Sequence, residues 1–211
     1  MVLGFAILLL AMAASLSIGP TGSSFTTLPR TLSAIFNGSK SPETFVLLQL
    51  RLPRMLLGMF VGADLALSGV MMQGLFRNPL ADPGLIGVSS GAALAAVATI
   101  ALGNSLFIDF ARAFGIYALP VAAFMGGLLT TMSLVAISRR SGVVMVGTLL
   151  LAGIAIAALC GALTGLFAYA SDDRELRDLT LWSLGSLAGA SWPKVIAVTP
   201  FAILLLLSCR A

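Results

Sequence analysis

Asp64 is the one acid set well inside a long apolar run of this 211-residue sequence. A carboxylate in that position can line a translocation path, or it can take a hydrogen bond from a Ser, a Thr or a backbone group of a neighbouring helix. Ser68, one turn on, and Phe60, one turn back, share its face if the run is helical. Gln73 is the next polar group along the same run. No second acid or base stands near Asp64 inside the run, so a proton relay is poorly supported. The sequence has no histidine, which removes His metal sites and His general bases. Cys160 and Cys209 lie in apolar stretches and fit neither a disulfide framework nor a metal spacing. No catalytic, cofactor or metal site is expected, and the chain reads as a non-enzyme.

The elements that position these residues follow from composition. Hydrophobic residues make up 59% of the chain and charged residues 9%, where a soluble domain carries about 25% charge. Too few polar side chains remain to coat a folded surface, so the solvent is lipid. The net charge of +4 is spread between apolar runs and forms no patch, so nucleic acid is not expected as a partner. Disorder is excluded by the same composition.

A helix needs about 20 mainly apolar residues to cross the hydrocarbon layer. Six stretches meet that measure: 1–18, 55–76, 85–102, 116–137, 143–169 and 192–209. They are long and do not alternate, which favours helices over a barrel. The expected fold is an all-α polytopic transmembrane bundle of about six spans, forming a single domain over 1–211. Charges fall in the gaps: Arg30, Lys40 and Glu43; Arg51 and Arg54; Arg77 and Asp82; Asp109 and Arg112; Arg139 and Arg140; and the acidic stretch from Asp172 to Asp178. The first stretch can also be read as a secretory signal, but no Lys or Arg precedes Arg30, so an uncleaved first helix is preferred. A positive-inside count by itself puts the N-terminus outside.

Gly58-x-x-x-Gly62, Gly87-x-x-x-Gly91, Gly161-x-x-x-Gly165 and Gly185-x-x-x-Gly189 together point to close helix packing. Between the second and third stretches, Asn78, Pro79, Asp82, Pro83 and Gly84 stop one helix and start another, with Asp82 placed to N-cap the third span.

Arg51-Leu52-Pro53-Arg54, Val61-Gly62-Ala63, Leu67-Ser68-Gly69-Val70-Met71-Met72-Gln73 and Asn78-Pro79-Leu80-Ala81-Asp82-Pro83-Gly84-Leu85-Ile86-Gly87-Val88 with Gly91 resemble the FecCD/BtuC-like permeases. Leu149-Leu150-Leu151-Ala152-Gly153 and Leu181-Trp182-Ser183-Leu184-Gly185-Ser186-Leu187 extend the likeness. These permeases are membrane subunits of bacterial importers driven by ATP-hydrolysing partners. Their solutes are iron-siderophores, haem or vitamin B12, with iron-siderophore the commonest. The resemblance implies the N-terminal part of a permease of about ten spans in the inner (plasma) membrane. Its N-terminus would lie inside. It further implies a homodimer around a central path, two cytoplasmic ATPase subunits, and a periplasmic or lipid-anchored solute-binding protein outside.

Arg51 and Arg54 match the external arginines that meet acidic residues of the binding protein; as plain physics they also suit an interfacial anchor for the second span. At Asp64 the family usually has a small apolar residue, commonly alanine. The chain is also shorter than such permeases, so it is expected to be a C-terminally truncated permease subunit that forms half of a central translocation path; the alternative is a truncated non-transporting fragment or one half of a split permease. A six-span secondary transporter is disfavoured because paired intramembrane ionisable residues are missing. Asp64→Ala is expected to leave membrane insertion intact and to raise stability by removing a costly carboxylate; a sharp fall in the variant's expression is the contrary result.

Overall fold

The computed structural model describes residues 2–18, 33, 41–103, 105–140 and 143–208. Arg30, Lys40, Cys209 and Arg210, and with them the outer ends of the first and sixth expected spans, lie outside the described residues. The described chain is helical apart from turns and one minimal hairpin. Helix α1 is Val2–Ser17, and α2 runs from Pro42 to Phe76. A 3-10 turn, Pro83–Ile86, precedes α3, Val88–Leu102. Helix α4, Ile108–Phe114, leads through a 3-10 turn at Gly115–Tyr117 into α5, Ala118–Ser138. Strands β1, Arg139–Arg140, and β2, Val143–Val144, pair antiparallel with Arg139 opposite Val144. They are followed by α6, Val146–Ala170, α7, Asp173–Ser183, and α8, Trp192–Ser208. Two compact units result, one from residues 1–67 and 187–211, the other from 68–186.

Helix α2 differs most from the sequence expectation. It starts at Pro42, well before residue 55, so Arg51 and Arg54 sit inside a helix and not in a gap. The Ser41 side chain caps it by accepting from Thr44 N–H at 3.3 Å, and Pro42 stands in the first turn, where its missing N–H costs nothing. The 35 residues span about 52 Å at 1.5 Å each, far more than the hydrocarbon layer of about 30 Å requires.

The second unit is built on α3, α5 and α6. Among the buried residues of α5, Gly127, Thr130, Leu134 and Ser138 form a stripe at helical spacing, and Ala118 and Ala122 are buried near its start. The rest of its surface is just as apolar and exposed, with Phe124, Leu129, Met132 and Ile137, as expected of a helix bathed in lipid. Ile86, Leu134 and Leu149 form the core, and Met72, Phe76, Val88, Ala152 and Ile156 pack against it.

Glycine sets how near these helices come. A Cβ on Gly91 would clash with the Thr130 hydroxyl, and one on Gly126 would run into the Gly91 carbonyl. Gly87 combines φ +77 with a backbone approach, since its Cβ would stand 2.8 Å from the Gly153 carbonyl oxygen. Thus Gly87-x-x-x-Gly91 serves two neighbours, α6 through Gly87 and α5 through Gly91. The other glycine pairs act differently. Gly58 would meet Leu187 Cδ1 at 3.3 Å, whereas among the described residues nothing lies within 4 Å of a Cβ on Gly62, Gly161, Gly165 or Gly185.

The turn between α2 and α3 closes its backbone groups in sequence. Arg77 N–H donates to Gly74 O at 3.3 Å and Asn78 N–H to Gln73 O at 3.2 Å, a Schellman pair with Arg77 at φ 51. Pro79 follows, with Leu80 N–H on Asn78 Oδ1 at 2.9 Å and Ala81 N–H on Asn78 O at 3.1 Å. Asp82 does cap, but it caps the 3-10 turn: its Oδ1 accepts from Gly84 N–H at 2.7 Å. Helix α3 itself starts after Gly87, because the left-handed residue there resets the chain direction.

Gly87→Ala is expected to lower the thermal unfolding temperature in detergent, since the left-handed backbone alone costs about 1–2 kcal/mol with a side chain before the Gly153 clash is counted. Arg77→Gly is expected to stabilise the same protein by up to about 1 kcal/mol. An unchanged melting temperature for Gly87→Ala contradicts the close approach.

Candidate functional site

The first unit holds two helix carbonyl oxygens that are served by side chains from other segments. Leu16 lies in the last turn of α1, where carbonyls have no donor within the helix. Its oxygen accepts from Arg51 Nη1 at 2.6 Å. The cation also suits the negative end of the α1 dipole. Inside α2, Val46–Arg51 form a π-helical segment in which Leu52 N–H donates to Leu47 O. The next donor in that register belongs to Pro53, so the Leu48 carbonyl has no backbone partner. Trp192 Nε1 donates to it at 3.0 Å from the start of α8.

Pro53 explains the π-helical segment as well. In a straight α-helix its ring would press on the Gln49 carbonyl and leave that oxygen bare. One wide turn relieves the clash, as π-bulges do within α-helices. The Pro53 ring is fully buried. The consequence for the arginine pair is a division: Arg51 is half-buried and turned onto α1, while Arg54 is exposed.

The polar residues of the apolar run behave less uniformly. Asp64 is half-buried, and its Oδ1 is enclosed with no hydrogen-bond partner among the described residues. Ser68 is half-buried and has an interaction of its own, and the Gln73 side chain is exposed. No group of three or more His, Cys, Asp or Glu residues able to hold a metal occurs among the described residues. Cys160 is a buried free thiol.

Sequence reasoning missed Gly126, Gly127 and Thr130. The adjacent glycines with a threonine one turn on were the available signal. It also missed Trp192 and Pro53 as a pair, which nothing in their spacing connects.

The sequence pattern of the FecCD transport family matches residues 7–211. The chain belongs to that family. As a FecCD protein it is a multi-pass protein of the inner (plasma) membrane, and α2, α4 with α5, and α6 provide stretches long and apolar enough to cross it. The haemin transport system permease of Yersinia pestis is 43% identical over 216 residues, covering 100% of this chain and 61% of the relative. The cobalamin import permease of Halobacterium salinarum is 42% identical over 164 residues, covering 77% of this chain and 42% of its own length. Among solved structures, an inward-facing metal-chelate type ABC transporter superposes with a TM-score of 0.72 at 32% identity, covering 97% of this chain and 58% of that one. The FecCD chain therefore spans about three fifths or less of the length of these relatives.

Trp192→Phe is expected to destabilise the detergent-solubilised FecCD chain by about 1–3 kcal/mol, the cost of a buried carbonyl left bare. The penalty should shrink when Pro53→Ala supplies an N–H at the bulge. A double-mutant cycle read by thermal unfolding checks this; equal penalties in both backgrounds would show that only packing is lost.

Proposed function

We propose that this FecCD chain is the membrane-embedded permease part of an ATP-driven importer of a metal chelate. The observation that carries the reading is the family match over residues 7–211. Six apolar helical stretches, centred on α1, α2, α3, α5, α6 and α8, cross the membrane with the N-terminus inside, and Asp64, Ser68 and Gln73 lie along the second crossing. Two copies enclose a central path, two cytoplasmic ATPase subunits drive it, and a solute-binding protein docks outside on the surface that carries Arg51 and Arg54. The permease performs no bond chemistry. ATP-linked movement requires that its two states make different contacts with the ATPase and the binding protein.

Haemin is the first solute to test, because the permease named for it is 43% identical. An iron-siderophore, the expectation from the motifs, is the second. The chain is expressed with the ATPase and solute-binding protein of a haemin importer in a strain deleted for its own haemin and siderophore permeases. Uptake of radiolabelled haemin that is abolished by vanadate is the expected result. Uptake that ignores vanadate and collapses with the proton gradient would make it a secondary transporter. No uptake of either solute would leave a non-transporting chain or one half of a split permease, and the import reading would fall.

A further inference from the structure

We propose that α4 is an interfacial anchor: it lies among the lipid headgroups with Phe107, Phe110 and Phe114 set into the acyl boundary and Asp109 and Arg112 turned to the water. The partner is the lipid surface itself, whatever solute the chain serves.

Length places α4 there. Helix α5 has 21 residues, about 32 Å at 1.5 Å each, which already covers a hydrocarbon layer of about 30 Å. The seven residues of α4 are surplus to that crossing. They do not continue the backbone of α5 either, since Gly115 ends α4 at φ 50 and ψ -121, with its N–H on Ala111 O. The link is a 3-10 turn, Gly115–Tyr117, which rises about 2 Å per residue and so about 6 Å in all. The headgroup region on each side of the hydrocarbon is about 5–8 Å thick. A link of that length holds α4 within it.

The residues of α4 suit that depth. Its first turn closes with Ala111 N–H on Phe107 O at 2.8 Å. At about 100° per residue, Phe107, Phe110 and Phe114 fall on one side, and Asp109 and Arg112 on the other. The Phe110 and Phe114 ring centroids stand 4.8 Å apart, so these rings form one patch. No residue of α4 is buried, and Phe107 and Phe114 are 40% and 43% exposed. Leu106 and Ile116, at the two ends, are more exposed still. Ile116 leads directly into α5, whose exposed apolar surface is bathed in lipid, so the patch continues an interface that the fold already has. Asp109 and Arg112 are exposed and make no hydrogen bond or ion pair among the described residues. Apolar rings on one face and charges on the other are the pattern of a helix lying in the membrane surface, and Arg112 is free to meet lipid phosphate. Three rings of about 200 Å² each, already partly covered, fall short of the roughly 800 Å² per partner that a stable protein interface buries. Anchors of this kind set the depth and tilt of the span they adjoin.

The full chain in nanodiscs of phosphatidylethanolamine and phosphatidylglycerol tests this. Photoreactive benzoylphenylalanine is placed at position 107, 114 or 112, one at a time, in chains whose thermal unfolding matches the parent. Mass spectrometry should find lipid adducts at 107 and 114 about fivefold above those at 112. A second measurement needs no crosslink. Phe114→Trp adds a fluorophore to the parent's Trp182 and Trp192. The added emission should be quenched more by lipids brominated high on the acyl chain than by lipids brominated near its end.

Crosslinks from 107 or 114 to a second copy would replace lipid by self-association. Adducts in equal yield at all three positions, or at none of them, would overturn the anchor. So would quenching strongest from the chain ends, which would put α4 inside the hydrocarbon layer.

Discussion

A backbone carbonyl at a helix end or at a bulge needs a donor that its own helix does not supply. Two such oxygens, Leu16 and Leu48, organise the first unit. Each is served by a side-chain N–H reaching from another segment, a guanidinium in one case and an indole in the other. These bonds tie α1 and the start of α8 to the N-terminal part of α2 with specific partners, where apolar contact alone would let helices slide. Between apolar helices in lipid there is no hydrophobic gain to set register. Directional hydrogen bonds to orphaned oxygens supply it.

The second unit meets the same constraint by closeness. Where α3 meets α5 and α6, the side chains that would separate the backbones are missing at Gly87, Gly91 and Gly126. Dispersion between surfaces in contact then replaces the solvent-driven term available in water. The hydroxyls of Thr99, Thr130 and Thr131 bond back to carbonyls of their own helices, at 2.8 Å in each case. Polar side chains can therefore sit in the bundle without asking anything of the lipid. The turn from Phe76 to Gly87 is closed group by group, which lets an irregular backbone join two apolar helices.

Much of this was legible. Long non-alternating apolar runs gave the helices, and the prolines and glycine from Asn78 to Gly84 marked a real reversal. Other features were hidden for definite reasons. The start of α2 lies earlier than the apolar run because Arg51 and Arg54 were placed in a gap by their charge, whereas the helix continues through them and passes Pro53 on a wide turn. Asp82 was read as the cap of α3 since spacing alone cannot tell a 3-10 turn from the helix that follows. Glycine pairs four residues apart looked equivalent, yet Gly87 and Gly91 meet backbone and hydroxyl while Gly161 and Gly165 meet nothing among the described residues within reach of a Cβ. Asp64 stood out from the start, and its enclosed Oδ1 keeps it so.

Residue types on their own determined the solvent, the helical class and the absence of histidine chemistry, because these depend on composition and on period along one chain. Motifs determined the family. Which carbonyl Trp192 reaches, which neighbour Gly87 admits, and which of two arginines is left to face outward were decided only by tertiary structure. Each of those depends on the distance between segments far apart in sequence, and a hydrogen bond or a backbone contact exists over only a few tenths of an ångström of that distance.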